Sequence, residues 1–149
     1  MAETKKSIKI SFVILLIMMI LALIYALITI FMPQIIVMRS FQGYTGQSWL
    51  EFADSNPTIA GYVLNLERMA GGIGLALALG GLIVLMTAYK KAERWAWFYI
   101  LVVGVIGWVN NLIANIIFKN PVTTTIIIVG LMLIAIGLII PAKVFLSKE

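Results

Sequence analysis

The sequence predicts an all-α integral membrane fold: four antiparallel transmembrane helices in a single bundle, with a structured extracytoplasmic loop between the first and second. Three observations carry that expectation. Four apolar runs, residues 8–32, 69–88, 95–118 and 122–144, each reach the length of about 20 residues that crosses a hydrocarbon core at about 1.5 Å per residue. Composition agrees, because 62% of the 149 residues are hydrophobic, 11% are charged and the mean hydropathy is +1.09, beyond what a soluble domain sustains. The charges are also clustered. Lys5, Lys6 and Lys9 cluster at the start of the first run, Lys90, Lys91 and Arg94 separate the second from the third, and Lys143 and Lys148 close the chain; only Arg39, Arg68 and Lys119 fall elsewhere. By the positive-inside rule this bias predicts a multi-pass protein of the cell membrane with both termini and the middle turn in the cytoplasm. The net charge of +5 is then a topology signal, and no nucleic-acid partner is expected.

The first run follows a basic stretch, as a secretory signal would. It continues to Met32 and meets Pro33 without small residues at a cleavage site, so it reads as a retained anchor. Residues 33–68 form the outer loop and a helix extension. Gly43 and Gly46 mark a turn, and residues 47–53 suit a short helix with Trp49 and Phe52 on an apolar side lying in the membrane interface. Asn56-Pro57 is a helix start, with proline in the first turn where its missing N–H is harmless. One long helix is expected from Pro57 to about Ala88. That places Glu67 and Arg68 near the outer headgroups, about 20 residues before the Lys90-Lys91 anchor.

The second span is rich in small residues. Ala70, Gly74 and Ala78 share one face, and Gly72, Ala76 and Gly80 share another. Close approach of such faces drives helix association in lipid, which predicts either a central helix or a self-association surface. Thr123, Gly130 and Gly137 form a similar seam on the fourth span, and Ala22, Ala26 and Thr29 on the first.

The third span carries a polar cluster, Asn110, Asn111 and Asn115, preceded by Gly104, Gly107 and Trp108. Amides in hydrocarbon need partners, because an unpaired polar group there costs several kcal/mol. Glu67, Arg68, Asn65 and Tyr62 are the candidates on the second helix. Two readings stay open for Glu67, Arg68, Asn111 and Asn115: polar glue between helices, or a small polar cavity facing outward. With Trp95 and Trp97 at the inner interface, the amides fall in the outer half of the membrane.

Cysteine and histidine are absent. Disulfides, thiolate or imidazole metal sites and Cys-His nucleophiles are therefore excluded, and no cofactor or metal is expected. Glu51, Asp54 and Glu67 have no obvious catalytic partner, so an enzyme is not expected.

T-G-Q-S-W at Thr45–Trp49, Asn56-Pro57, R-M-A-G-G at Arg68–Gly72 and E-R-W-A-W at Glu93–Trp97 together resemble a group of small prokaryotic four-helix membrane proteins, loosely similar to the DoxX-like proteins. The resemblance covers about residues 45–97. It implies a four-helix membrane protein and assigns no catalytic residue. Two functions are carried forward. The first is a non-enzymatic accessory or assembly subunit that contacts lipids and a membrane-protein partner or a second copy. The second is a small transporter, channel or lipid-binding module with an outward-facing polar site.

Overall fold

The computed structural model describes residues 2–147, with side chains from Lys6 onward; the side chains of Glu3 and Lys5 and the whole of Lys148 and Glu149 lie outside the described residues. Among the described residues the chain forms α1 (Ala2–Phe31), α2 (Pro33–Thr45), α3 (Trp49–Ser55), α4 (Pro57–Thr87), a 3-10 turn (Tyr89–Lys91), α5 (Arg94–Ile117), α6 (Pro121–Ile139) and α7 (Ala142–Leu146), with no strand. Four of these helices are long and apolar enough to cross a membrane: Lys6–Phe31, Pro57–Lys91, Arg94–Ile117 and Pro121–Ile139. Their outward faces are apolar; Ile73 and Ile106 are each 63% exposed and Met132 60%.

Glycine positions show how the long helices meet. A Cβ at Gly71 would lie about 3.0 Å from Ile30 N, one at Gly74 3.7 Å from Ala26 Cβ, and one at Gly81 2.7 Å from Met19 Sδ. Contacts thus descend α1 as they ascend α4. Gly137 faces Leu15 of α1, while Gly130 faces the Trp108 ring and Ile134 faces Gly104 on α5. Helix α1 therefore sits between α4 and α6, and α6 between α1 and α5. The small-residue face of α4 that does the packing is Gly71, Gly74, Ala78 and Gly81, all on the α1 side, and α1 rather than α4 is the central helix.

The remaining glycines of α4 divide. Gly80 faces the Tyr99 hydroxyl, 3.0 Å from where its Cβ would be, and is a point where the consecutive helices α4 and α5 meet. Gly72 has open space around it and Ala70 and Ala76 are exposed, so the expected packing role of Gly72 is not met inside the chain. The second expected face is rotated outward because 3.6 residues per turn separates it from the α1 seam.

The end of the bundle that holds Lys90, Lys91 and Lys143 is closed by a polar knot that Pro141 creates. In a continuous helix the Gly137 carbonyl would accept from residue 141, but proline has no N–H to donate. Ser11 Oγ donates to that carbonyl instead, Tyr89 Oη approaches it at 3.3 Å, and the two hydroxyls are 2.5 Å apart. The next carbonyl, Leu138, accepts from Trp97 Nε1 at 3.0 Å. Around them Leu15, Leu85, Ile100, Leu138 and Phe145 form the main core. Trp97, expected at the interface, is thus buried, whereas Trp95 is 54% exposed. The fourth long helix ends at Ile139, short of the expected 144, because Pro141 turns the chain into α7.

The segment between the first two long helices is more helical than expected. Residues 33–45, expected as part of an outer loop, form α2, which starts at Pro33 directly after α1. Pro33 breaks the α1 ladder but fits the first turn of a new helix, and buried Val37 then holds α2 against the rest. Trp49 is 2% exposed and packs with Val37, Ala60, Phe41 and Phe52 in a second core, so it is buried under this helical cap instead of lying flat in the interface. Phe41 meets the Trp49 ring edge-on at 5.2 Å, the geometry aromatic quadrupoles favour. The expected start of α4 at Pro57 is met. Asn56, however, turns back and donates from Nδ2 to the Phe52 carbonyl at 3.2 Å, closing α3 rather than capping α4.

Candidate functional site

Two turns and a close approach build a pocket at the end of the helices opposite Lys90 and Lys91. Helix α5 stops in a Schellman motif: the Lys119 N–H bonds the Ile116 carbonyl and the Asn120 N–H bonds the Asn115 carbonyl, each at 3.1 Å. Lys119 occupies the left-handed position of that motif at φ 50°, where glycine is the usual residue. Asn120 then caps α6 by accepting from the Thr123 N–H at 3.3 Å, with Pro121 in the first turn. Helix α2 reaches this turn through Gly43, whose missing side chain leaves room for the Phe118 and Lys119 carbonyls. Tyr44 adds an edge-on contact with the Phe118 ring at 6.0 Å.

Beneath α2 lies a cavity of about 310 Å³ between α1, α4, α5 and the start of α6. Its polar lining includes Tyr25, Arg39, Glu67, Asn111, Asn115 and Thr123; Ile35, Ala70 and Phe118 contribute apolar surface. A second depression of about 330 Å³ adjoins it on the α2 side, lined by Arg39, Gln42, Lys119 and Asn120. Arg39 and Asn120 line both, so the two adjoin across these residues and are called the recess together.

Of the residues expected in a polar cluster, the structure brings Glu67, Asn111 and Asn115 to one cavity and leaves Arg68 outside its lining. Arg68 is exposed and donates to Asn65 Oδ1 at 2.9 Å, one turn back on α4. Arg39 supplies the cavity's cation instead. Its sequence signal was its separation from the other cations, but nothing local placed it against α4 and α5. Tyr25 and Thr123 were equally silent, since single polar residues in apolar helices usually bond their own backbone.

Hydrogen bonding decides what the lining offers. Asn111 Nδ2 donates to the Gly107 carbonyl and Asn115 Nδ2 to the Asn111 carbonyl, each at 3.0 Å. Both amides therefore spend donors on α5 itself and make no bond to α4. The Oδ1 acceptor and the second N–H of each are left over. Among the described residues Glu67 has no hydrogen bond and no ion pair, and neither has Arg39. Glu67 is half-buried, so its carboxylate gives up hydration without a protein partner in return. Along α4 it lies about 30 Å from the Ala88 end, and Asn115 lies about 30 Å along α5 from Trp95. Those distances equal the thickness of a hydrocarbon core.

No group of three or more His, Cys, Asp or Glu side chains that could hold a metal occurs among the described residues. No family model, curated protein or solved structure matches this chain.

Proposed function

We propose that this chain is a non-enzymatic four-span protein of the cell membrane, an antiparallel helical bundle with both termini cytoplasmic, that binds a small polar group or lipid headgroup in its outward recess. The observation that carries this is the unpaired Glu67 and Arg39 in one cavity with the free amide oxygens of Asn111 and Asn115. Charges retained at the edge of an apolar helix array are kept for contact with something. The orientation rests on Lys6, Lys9, Lys90, Lys91, Arg94 and Lys143, which the antiparallel helices bring to the end opposite Arg39, Arg68 and Lys119. A pore through one copy is disfavoured, because the inner end is closed by Ser11, Tyr89, Trp97 and Phe145.

Replacing Asn111 by Leu and Asn115 by Val tests the reading. The double variant is expected to keep its helicity and lose at least tenfold in ligand or lipid retention; unchanged retention in a folded variant refutes it.

A second function, accessory or assembly subunit of a larger membrane complex, is supported by a different surface. Gly61 and Gly72 on α4 face open space and Ala76 beside them is exposed. Such a face suits a neighbouring helix, from a partner or a second copy. Purification in mild detergent checks it: co-purification or dimerisation lost on Gly72→Leu supports a subunit role, and a lone monomer counts against it. The likeness to DoxX-like four-helix proteins fits either reading.

A further inference from the structure

We infer that the outer recess recognises a zwitterion, a primary ammonium joined to a phosphate through a short linker, as in an ethanolamine phospholipid headgroup. This deepens the binding function proposed above and rests on it.

The recess carries both signs of charge, with its acid in the cavity alone and its cations at the border and in the depression. The inner cavity holds one acid, Glu67, flanked by Asn111 and Asn115, each of which gives one of its two amide N–H donors to α5 and keeps its Oδ1 free to accept. A primary ammonium carries three N–H donors and no acceptor, which matches a carboxylate with two amide oxygens. A quaternary ammonium has no N–H to give these three groups and would have only Tyr25 and Phe118 of the lining as aromatic faces. The adjoining depression holds Lys119, with Arg39 shared between the two spaces. Cations there suit a phosphate. A purely anionic ligand would meet Glu67, and a purely cationic one would meet Arg39 and Lys119. Only a molecule with both signs answers both ends.

One further observation points the same way. Glu67 and Asn115 lie at the outer hydrocarbon boundary, the level at which an outer-leaflet headgroup presents ammonium and phosphate together.

Lipid retention by the full-length chain tests this. The protein is delipidated in detergent and exposed to mixed micelles holding equal phosphatidylethanolamine, phosphatidylcholine and phosphatidylglycerol; bound lipid is counted by native mass spectrometry. At least fivefold enrichment of phosphatidylethanolamine is expected, abolished by Glu67→Gln. Arg39→Gln, an exposed site on α2 expected to fold normally, should lower phosphatidylethanolamine retention several-fold and keeps the test decisive if the Glu67 variant fails to fold. Glycerophosphoethanolamine is then added as competitor. Displacement at micromolar concentration assigns the site to a free solute of this chemistry; retention in its presence assigns it to the lipid. Equal retention of all three lipids, or a preference unchanged by Glu67→Gln and Arg39→Gln, overturns the inference. Phosphatidylglycerol held in an Asn111- and Asn115-dependent manner would overturn the zwitterion while leaving the recess a binding site. No lipid or solute dependent on those asparagines would remove both.

Discussion

At the scale of single residues, the end closed by Ser11 and Tyr89 turns on one missing donor. Because Pro141 cannot supply an N–H, the Gly137 carbonyl relies on hydroxyls from two other elements, Ser11 and Tyr89. Removing either leaves one partner; removing both leaves a buried carbonyl unpaired, at a cost of about 1–3 kcal/mol. Ser11→Ala and Tyr89→Phe should therefore each destabilise by about 1 kcal/mol, and the double variant by more than their sum. Denaturation in mixed micelles measures the coupling, and strict additivity would refute the shared-carbonyl account. A second residue-scale effect sits in the turns. Ala92 and Lys119 both occupy left-handed positions, φ 56° and 50°, each closing a Schellman motif. A Cβ is disfavoured there, so Ala92→Gly should stabilise by about 1 kcal/mol with no effect on ligand retention. Lys119→Gly should stabilise similarly and weaken retention. Those opposite responses would separate a structural turn from one that also serves the recess.

At the scale of elements, α2 is the piece on which the recess depends. It is tethered by Pro33 to α1, by Val37 and Phe41 to the Trp49 core, and by Gly43 to the carbonyls of the α5–α6 turn. The last tether admits no side chain. Gly43→Ala should push α2 off the turn, cost about 1–3 kcal/mol as overpacking does, and open the recess between Arg39 and Asn115. Thermal unfolding followed by circular dichroism gives the first effect and lipid counting the second; normal stability with normal retention would show that α2 does not roof the site. Helix α1 has the opposite character, since both its small-residue face and its Ser11 edge are engaged, by α4 and α6.

At the scale of the whole molecule, the fold sorts polarity into two ends. One end carries the cationic belt and a closed core, the other a helical cap over a recess of mixed charge. The sequence has no cysteine, so single reporters test the orientation directly. Cysteine at Gln47 should react with an impermeant maleimide on intact cells, and cysteine at Lys91 only after permeabilisation. The reverse pattern would invert the protein. Because the closed end has no polar path, vesicles bearing the protein should show no ion leak above control.

Much of this architecture was written in the chain itself. Apolar run length alone defines four helices able to cross a bilayer, and Asn56-Pro57 fixes where α4 starts, since both follow from local hydropathy and backbone chemistry. The membership of Glu67, Asn111 and Asn115 in one recess was half legible, because polar residues in apolar helices stand out even when their partners do not. Rotation was not legible. Whether Gly71 or Gly72 meets α1, whether Arg39 or Arg68 turns to Glu67, and whether Trp97 anchors or packs depend on the angle at which each helix faces its neighbours. A one-residue step turns a side chain by about 100°, and hydropathy that is nearly uniform around each span leaves that angle undetermined. Only tertiary contact decides it: the close approach of glycines to α1, and the carbonyl that Pro141 sets free for Ser11, Tyr89 and their neighbours to claim.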